Sequence, residues 1–132
     1  VPGITAANGV SSYAGIPLTH RDYAQSCTFV TGHMKNEKLI LEWNSLAKPN
    51  QTVVIYMGLL ALSQICEQFI KHGASKNLPI AVVEQGTTSD QKVVTGSLSN
   101  ITQKVKQEKL KSPSLIIIGN VVKLRKKLNW FN

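Results

Sequence analysis

Thr52-Val53-Val54-Ile55-Tyr56-Met57-Gly58-Leu59-Leu60-Ala61-Leu62-Ser63-Gln64-Ile65-Cys66-Glu67-Gln68-Phe69-Ile70-Lys71-His72-Gly73 decides the fold class of this chain. Thr52 to Tyr56 form a nearly continuous β-branched run, the composition of a strand covered on both faces. From Leu59 the period changes. Leu59, Leu62, Ile65, Cys66, Phe69 and Ile70 recur at three- and four-residue spacing. Ser63, Gln64, Glu67, Gln68 and Lys71 fall on the other face, and Gly73 supplies a stop. A buried strand running directly into an amphipathic helix is a unit of α/β architecture.

Outward from that unit, Ser26 to Gly32 is rich in β-formers (Cys27, Phe29, Val30) and predicts a strand ending at His33. Pro79 to Glu84 and Lys92 to Ser97 predict two more. The short polar link between them, with Gly86 and Asp90, makes the sheet mixed rather than wholly parallel. Leu115 to Ile118 is the last buried strand. Leu98 to Leu110 reads as a helix with Leu98, Ile101 and Val105 inward, and Asn44 to Ala47 as a short helix in the polar stretch Met34 to Asn50. Asn120 is the expected N-cap of a final helix with Val121, Leu124 and Leu128 on one face. Val1 to Gly9 reads as a small-residue loop and Val10 to Ala14 as at most a short helix before Gly15-Ile16-Pro17. The expectation is one α/β domain over residues 1–132, a layered mixed sheet flanked by helices.

With 42% hydrophobic residues in 132, one domain can bury a core. The apolar runs Val53 to Met57 and Leu115 to Ile118 are too short to cross a bilayer, and no charged-then-apolar leader opens the chain, so a cytoplasmic location without a membrane partner is expected. Cys27 and Cys66 have neither CxxC nor zinc-finger spacing and are expected to be buried free thiols. Eight basic residues and one acid, Glu108, lie between Lys104 and Lys127, so that stretch holds nearly all of the net charge of +8. It reads as a solvated helical face or as an attractor of an acidic ligand. Without an RNP-like or helix-turn-helix pattern, no nucleic-acid partner is expected.

Several small clusters could carry chemistry. Gly3, Thr5, Ala6 and Ala7 would let backbone amides approach a ligand, or form an ordinary loop. Met57 and Gly58 stand where a buried strand passes into a helix, the edge at which open α/β sheets bind ligands, though a core methionine and a helix-entry glycine read equally well. Gly86 permits a positive φ, a close backbone approach or a plain turn. Arg21, one of two arginines among fifteen basic residues, can grip a carboxylate in bidentate fashion or bridge to Asp22. His33 can donate to a carboxylate or serve the fold, and His20 reads as a structural partner in its loop.

Taken in order, Pro2-Gly3-Ile4-Thr5-Ala6-Ala7, Tyr13-Ala14-Gly15, Pro17-Leu18-Thr19-His20-Arg21-Asp22-Tyr23-Ala24-Gln25, Thr31-Gly32-His33, Tyr56-Met57-Gly58, Glu84-Gln85-Gly86-Thr87-Thr88 and Ser112-Pro113-Ser114-Leu115 resemble the uroporphyrinogen-III C-methyltransferases, from Val1 to Phe131. The family's amino-terminal half, with its glycine-rich cofactor loop and acid/base residues, has no counterpart. The resemblance therefore implies the carboxy-terminal domain of the tetrapyrrole methylase fold, inactive in isolation. It further implies S-adenosyl-L-methionine as cofactor, S-adenosyl-L-homocysteine as product, a homodimer, and methylation of uroporphyrinogen III at two ring carbons to give precorrin-2 for sirohaem or cobalamin. By the same resemblance Thr5, Ala6, Met57, Gly86 and Thr87 bind the cofactor, and Arg21, His33 and Met57 the tetrapyrrole. No catalytic or metal-binding residue is assigned. A sibling methyltransferase of a later cobalamin precursor, or a basic binding and dimerisation module, are the alternatives.

Overall fold

The structure, a computed structural model, describes residues 1–131. Five strands form one mixed sheet: β1 (Ser26–Thr31), β2 (Gln51–Tyr56), β3 (Pro79–Glu84), β4 (Lys92–Ser97) and β5 (Ser114–Ile118), in the spatial order β1-β2-β5-β3-β4. β1 and β2 are parallel, with Ser26 opposite Gln51 and Thr31 opposite Tyr56. β5 is antiparallel to both of its neighbours, β2 and β3, and β3 and β4 pair antiparallel as expected from their short link. Because β5 reverses direction between them, β2 and β3 point the same way.

Alternation along the three central strands builds two cores. Val53, Ile55, Ile80, Val82, Ile116 and Ile118 face α2 (Trp43–Leu46), α3 (Leu62–Lys71) and α4 (Ile101–Gln107). Val54, Ala81, Val83, Leu115 and Ile117 face α1 (Ala6–Ala14) and the turn at Val121 and Val122. These strands are buried on both sides, which accounts for their unbroken apolar composition.

Four local expectations are corrected. The amino-terminal loop is shorter than expected, because α1 already starts at Ala6. Ala7, Val10, Ser11 and Ala14 form its buried stripe, and such small residues give a weak periodic signal. Gly15 ends it at φ 71°, with Gly15 and Ile16 donating to Ser12 and Ser11 carbonyls at 3.2 and 2.9 Å. Leu59–Ala61 is a 3₁₀ turn ahead of α3, and Ile70 is 40% exposed instead of inward. The fourth helix begins at Ile101, leaving Leu98 buried in the preceding turn, where Asn100 Oδ1 accepts from Ser97 N–H at 2.8 Å. Finally, Asn120 makes no cap; Asn120–Leu124 is a 3₁₀ turn entered through Gly119 at φ 148°, followed by the single turn α5 (Arg125–Leu128) with Leu128 exposed. Arg125 Nη1 donates to the Ala14 carbonyl at 2.6 Å, tying this end of the chain to the carboxyl end of α1.

The carboxyl ends of β1 and β2 are fastened by two glycines. Gly32 N–H donates to the Tyr56 carbonyl at 2.6 Å. A Cβ on Gly32 would meet Gly58 Cα and Ile55 Cγ2 at 2.7 Å, and one on Gly58 would meet Ile55 Cγ2 at 2.8 Å and Ile116 Cδ1 at 3.0 Å. Gly3, by contrast, has nothing within 4 Å of such an atom. Gly32→Ala should therefore lower the unfolding free energy by about 1–3 kcal/mol, as overpacking does, and Gly3→Ala should leave it unchanged within about 0.5 kcal/mol. Urea denaturation of the two variants measures both.

Candidate functional site

The carboxyl ends of β1, β2 and β3 open at one edge of the sheet, beside the amino end of β5. There the start of α1 stands over them and encloses a cleft of about 760 Å³. Ala6 and Val10 come from α1, His33 from the segment after β1, Tyr56, Met57, Leu59 and Leu60 from the end of β2, Val83, Gln85, Gly86 and Thr88 from the end of β3, and Ser112 to Leu115 from the entry to β5. The walls are chiefly aliphatic, and the polar groups sit at the strand ends. Such a site suits a flat apolar ring system held by a few convergent hydrogen bonds.

Met57 leaves β2 with φ 54°, a conformation disfavoured for a residue with a long side chain, and is 64% exposed at the cleft. The strand has just finished its ladder with β1, and the Gly32–Gly58 contact turns the chain at this point. It thus presents Met57 outward rather than packing it. His33, next to Gly32, is carried to the same cleft and is exposed.

The first turn of α1 contributes donors. Asn8 and Gly9 amides bond the Thr5 carbonyl at 3.0 and 3.3 Å. Thr5 is the N-cap residue, yet its hydroxyl makes no cap; it hydrogen-bonds the Tyr56 hydroxyl, and that same oxygen accepts the Ala7 amide at 2.9 Å. Among the described residues, the Ala6 N–H alone of these first four has no protein acceptor, and Ala6 lines the cleft. An outward amide at a helix start is the donor that a bound acceptor would use.

At the end of β3 the turn is strained at Gln85 (φ 46°) and Thr87 (φ 72°), not at Gly86. Gly86 is required by close approach: a Cβ there would lie 2.6 and 2.8 Å from the two methyls of Val10. The turn is held by Thr88 Oγ1 donating to the Gln85 carbonyl and by Thr87 N–H donating to Gln91 Oε1, both at 2.8 Å. Thr87 itself is exposed and lies beside the cleft lining, not in it.

Of the residues singled out in the sequence, Ala6, His33, Met57 and Gly86 meet at this one cleft, and Thr5 joins its wall through Tyr56. Arg21 is exposed and outside the lining. Its loop is closed without it, by the His20–Ala24 bridge, by His20 Nδ1 accepting from Asp22 N–H at 3.1 Å, and by the His20–Tyr23 ring pair. Tyr56 and Val10 were not singled out. The signal for Tyr56 was available, since a tyrosine ending an otherwise aliphatic strand needs a partner for its hydroxyl.

The basic residues do not form one helical face. Lys104 and Lys106 lie on α4, Lys109 and Lys111 in the following loop, Lys123 in the 3₁₀ turn, and Arg125, Lys126 and Lys127 on α5; none lines the cleft. Cys66 is buried and its thiol is pushed up to about 11 by loss of solvent. Cys27, expected to be buried, is only half-buried at an edge strand, its thiol also raised by burial. Neither thiol has the electropositive setting of a nucleophile.

Residues 1–102 match the sequence profile of the tetrapyrrole (corrin/porphyrin) methylases. The chain belongs to that family. The siroheme synthase of Methylobacillus flagellatus is 63% identical over 131 residues, 99% of this chain and 28% of that protein. A uroporphyrin-III C-methyltransferase of Thermus thermophilus is 31% identical with a TM-score of 0.76, over 97% of this chain and 53% of that one. A second structure of the Thermus thermophilus enzyme, complexed with S-adenosyl homocysteine, is 26% identical with a TM-score of 0.76, over 94% of this chain and 53% of that one. The part of these structures that the chain matches is the mixed five-stranded sheet and its helices described above; the chain spans just over half of these solved structures and 28% of the siroheme synthase.

Within the methylase cleft, the contact between Gly86 and Val10 can be isolated from any ligand. Gly86→Ala and Val10→Ala should each lower the thermal midpoint. Combined, they should cost less than the sum of the two, by about 1 kcal/mol, because the second removes the methyls that the first collides with. Additive losses in thermal unfolding would show that Gly86 does not depend on Val10.

Proposed function

We propose that this chain is the carboxy-terminal domain of an S-adenosyl-L-methionine-dependent uroporphyrinogen-III C-methyltransferase that makes precorrin-2 for sirohaem or cobalamin. The observation that carries the proposal is the convergence of Ala6, His33, Met57 and Gly86 on one cleft at the carboxyl edge of the sheet. The unpaired Ala6 amide and the aliphatic walls fit an adenosyl group, one acceptor against the helix start and a flat base against Val10, Val83 and Leu115. The 63% identity to a siroheme synthase favours this reading over a methyltransferase of a later cobalamin precursor.

When bound, S-adenosyl-L-methionine supplies an electrophilic methyl carbon, and S-adenosyl-L-homocysteine is left. This chain's own residues bind and orient, which is the larger part of catalysis when two reactants must be aligned. Thr5, Ala6, Gly86 and Thr87 are assigned to the cofactor. Met57 is assigned to both ligands, its flexible thioether filling the space between them. His33 and Arg21 are assigned to the carboxylates of the tetrapyrrole. Proton transfer belongs to residues outside this chain, in the amino-terminal half of a longer, homodimeric, cytoplasmic enzyme, so the 132 residues alone are inactive.

In the full-length protein, incubation of uroporphyrinogen III with S-adenosyl-L-methionine should give a product heavier by two methyl groups, detected by mass spectrometry. Met57→Ala should weaken S-adenosyl-L-homocysteine binding in calorimetry and slow turnover together. A full-length protein that neither binds the product nor methylates the tetrapyrrole overturns the proposal.

Arg21→Lys separates binding from folding. A guanidinium paired with a carboxylate is replaced by a point charge, so the KM for uroporphyrinogen III should rise roughly tenfold, about 1.4 kcal/mol. Cofactor affinity and thermal midpoint should hold. An unchanged KM with a lowered midpoint assigns Arg21 to the loop instead.

A further inference from the structure

We propose that Tyr56 is a positioning residue for the cofactor, acting through Thr5 and the first turn of α1; this rests on the function proposed above. Tyr56 closes β2 on the face shared with Val54, its ring 6.2 Å from that of Phe29. Its hydroxyl spans to the start of α1, some fifty residues earlier in the chain, where it accepts the Ala7 amide at 2.9 Å and pairs with the Thr5 hydroxyl. An N-cap threonine ordinarily turns its oxygen onto an amide of its own helix. Here Thr5 does not, and Tyr56 provides the cap from another element.

Two consequences reach the cleft. With Ala7, Asn8 and Gly9 amides satisfied inside the protein, the Ala6 N–H is left as the donor of this turn. The next residue after Tyr56 is Met57, held at φ 54°. One phenol oxygen therefore fixes the relative position of two cofactor-contacting segments that are joined by no other side-chain hydrogen bond among the described residues. Removing that oxygen while keeping the ring should loosen the first turn of α1 without emptying the core.

The experiment is Tyr56→Phe in the full-length protein, with Thr5→Val and the double variant as companions. S-adenosyl-L-homocysteine dissociation in calorimetry, and the KM for S-adenosyl-L-methionine, should rise roughly three- to tenfold in Tyr56→Phe, the scale of one or two neutral hydrogen bonds. The KM for uroporphyrinogen III should not change. The double variant should lose less affinity than the product of the two single losses, because Thr5 and Tyr56 act as one unit. Wild-type affinity in Tyr56→Phe with only a lowered thermal midpoint assigns the tyrosine to folding and overturns the inference. Independent losses in the double variant overturn the coupling through Thr5. If the unaltered protein does not bind S-adenosyl-L-homocysteine, the parent function falls and this inference with it.

Discussion

The insertion of β5 between β2 and β3 is the constraint on which the rest of the molecule depends. Ser114–Ile118 hydrogen-bonds antiparallel to both neighbours. A strand reversed between two others leaves those two parallel, so the ends of β2 and β3 arrive at the same edge, two strand spacings or about 9–10 Å apart. β5 also forces the apolar composition of its neighbours, since Ile116 and Ile118 serve one core and Leu115 and Ile117 the other. The cleft is a by-product of that topology. Its floor is the strand edge, and its wall is whatever element packs over the second core, which is α1.

Strain collects where the strands end. Met57, Gln85 and Thr87 all have positive φ, and each stands at or beside the cleft. Such conformations cost of order 1–3 kcal/mol each, so something must hold them. For Met57 it is the contact of Gly32 with Gly58 and the packing of Ile55 against both; for the β3 turn it is the hydrogen bonds of Thr88 and Gln91. Met57 and Thr87 carry exposed side chains, and Gln85 a half-buried one. Met57 is thus 64% exposed on a frame braced by the packing beneath it.

The strands were legible in the sequence nearly to the residue, because burial on both faces writes an unbroken β-branched run and the β3–β4 link announces itself through polar residues. α1 was not. Its buried stripe is Ala7, Val10, Ser11 and Ala14, residues common in loops, and its N-cap threonine is engaged elsewhere. The last helix was overread for the opposite reason: Val121, Leu124 and Leu128 have helical spacing, but the entry at Gly119 gives a 3₁₀ turn and leaves Leu128 at the surface. In the site, motif order picked out Ala6, His33, Met57 and Gly86, which meet in space. It gave no hint that Gly86 is shaped by Val10, or that Tyr56 reaches α1, since both are contacts between elements distant in sequence.

Most of the positive charge lies away from the cleft. Eight basic residues between Lys104 and Lys127 dominate the net charge, yet none borders the cleft, and two are spent on backbone carbonyls: Lys104 on Thr95 at 3.2 Å and Arg125 on Ala14 at 2.6 Å. Charges beyond about 8–10 Å are largely screened at physiological salt. A diffuse positive field can raise the encounter rate of a polycarboxylate, but it cannot choose among carboxylates or set their register. Selection requires a donor at contact distance. Among the described residues, His33, Gln85, Thr88, Ser112 and Ser114 line the cleft as side-chain donors, whereas Arg21 lies in the loop that leads into the amino end of β1 and the cleft opens at the carboxyl end. On the function proposed above, attraction and recognition therefore fall to different residues: the basic residues of the far elements supply a field, and the donors that line the cleft supply geometry.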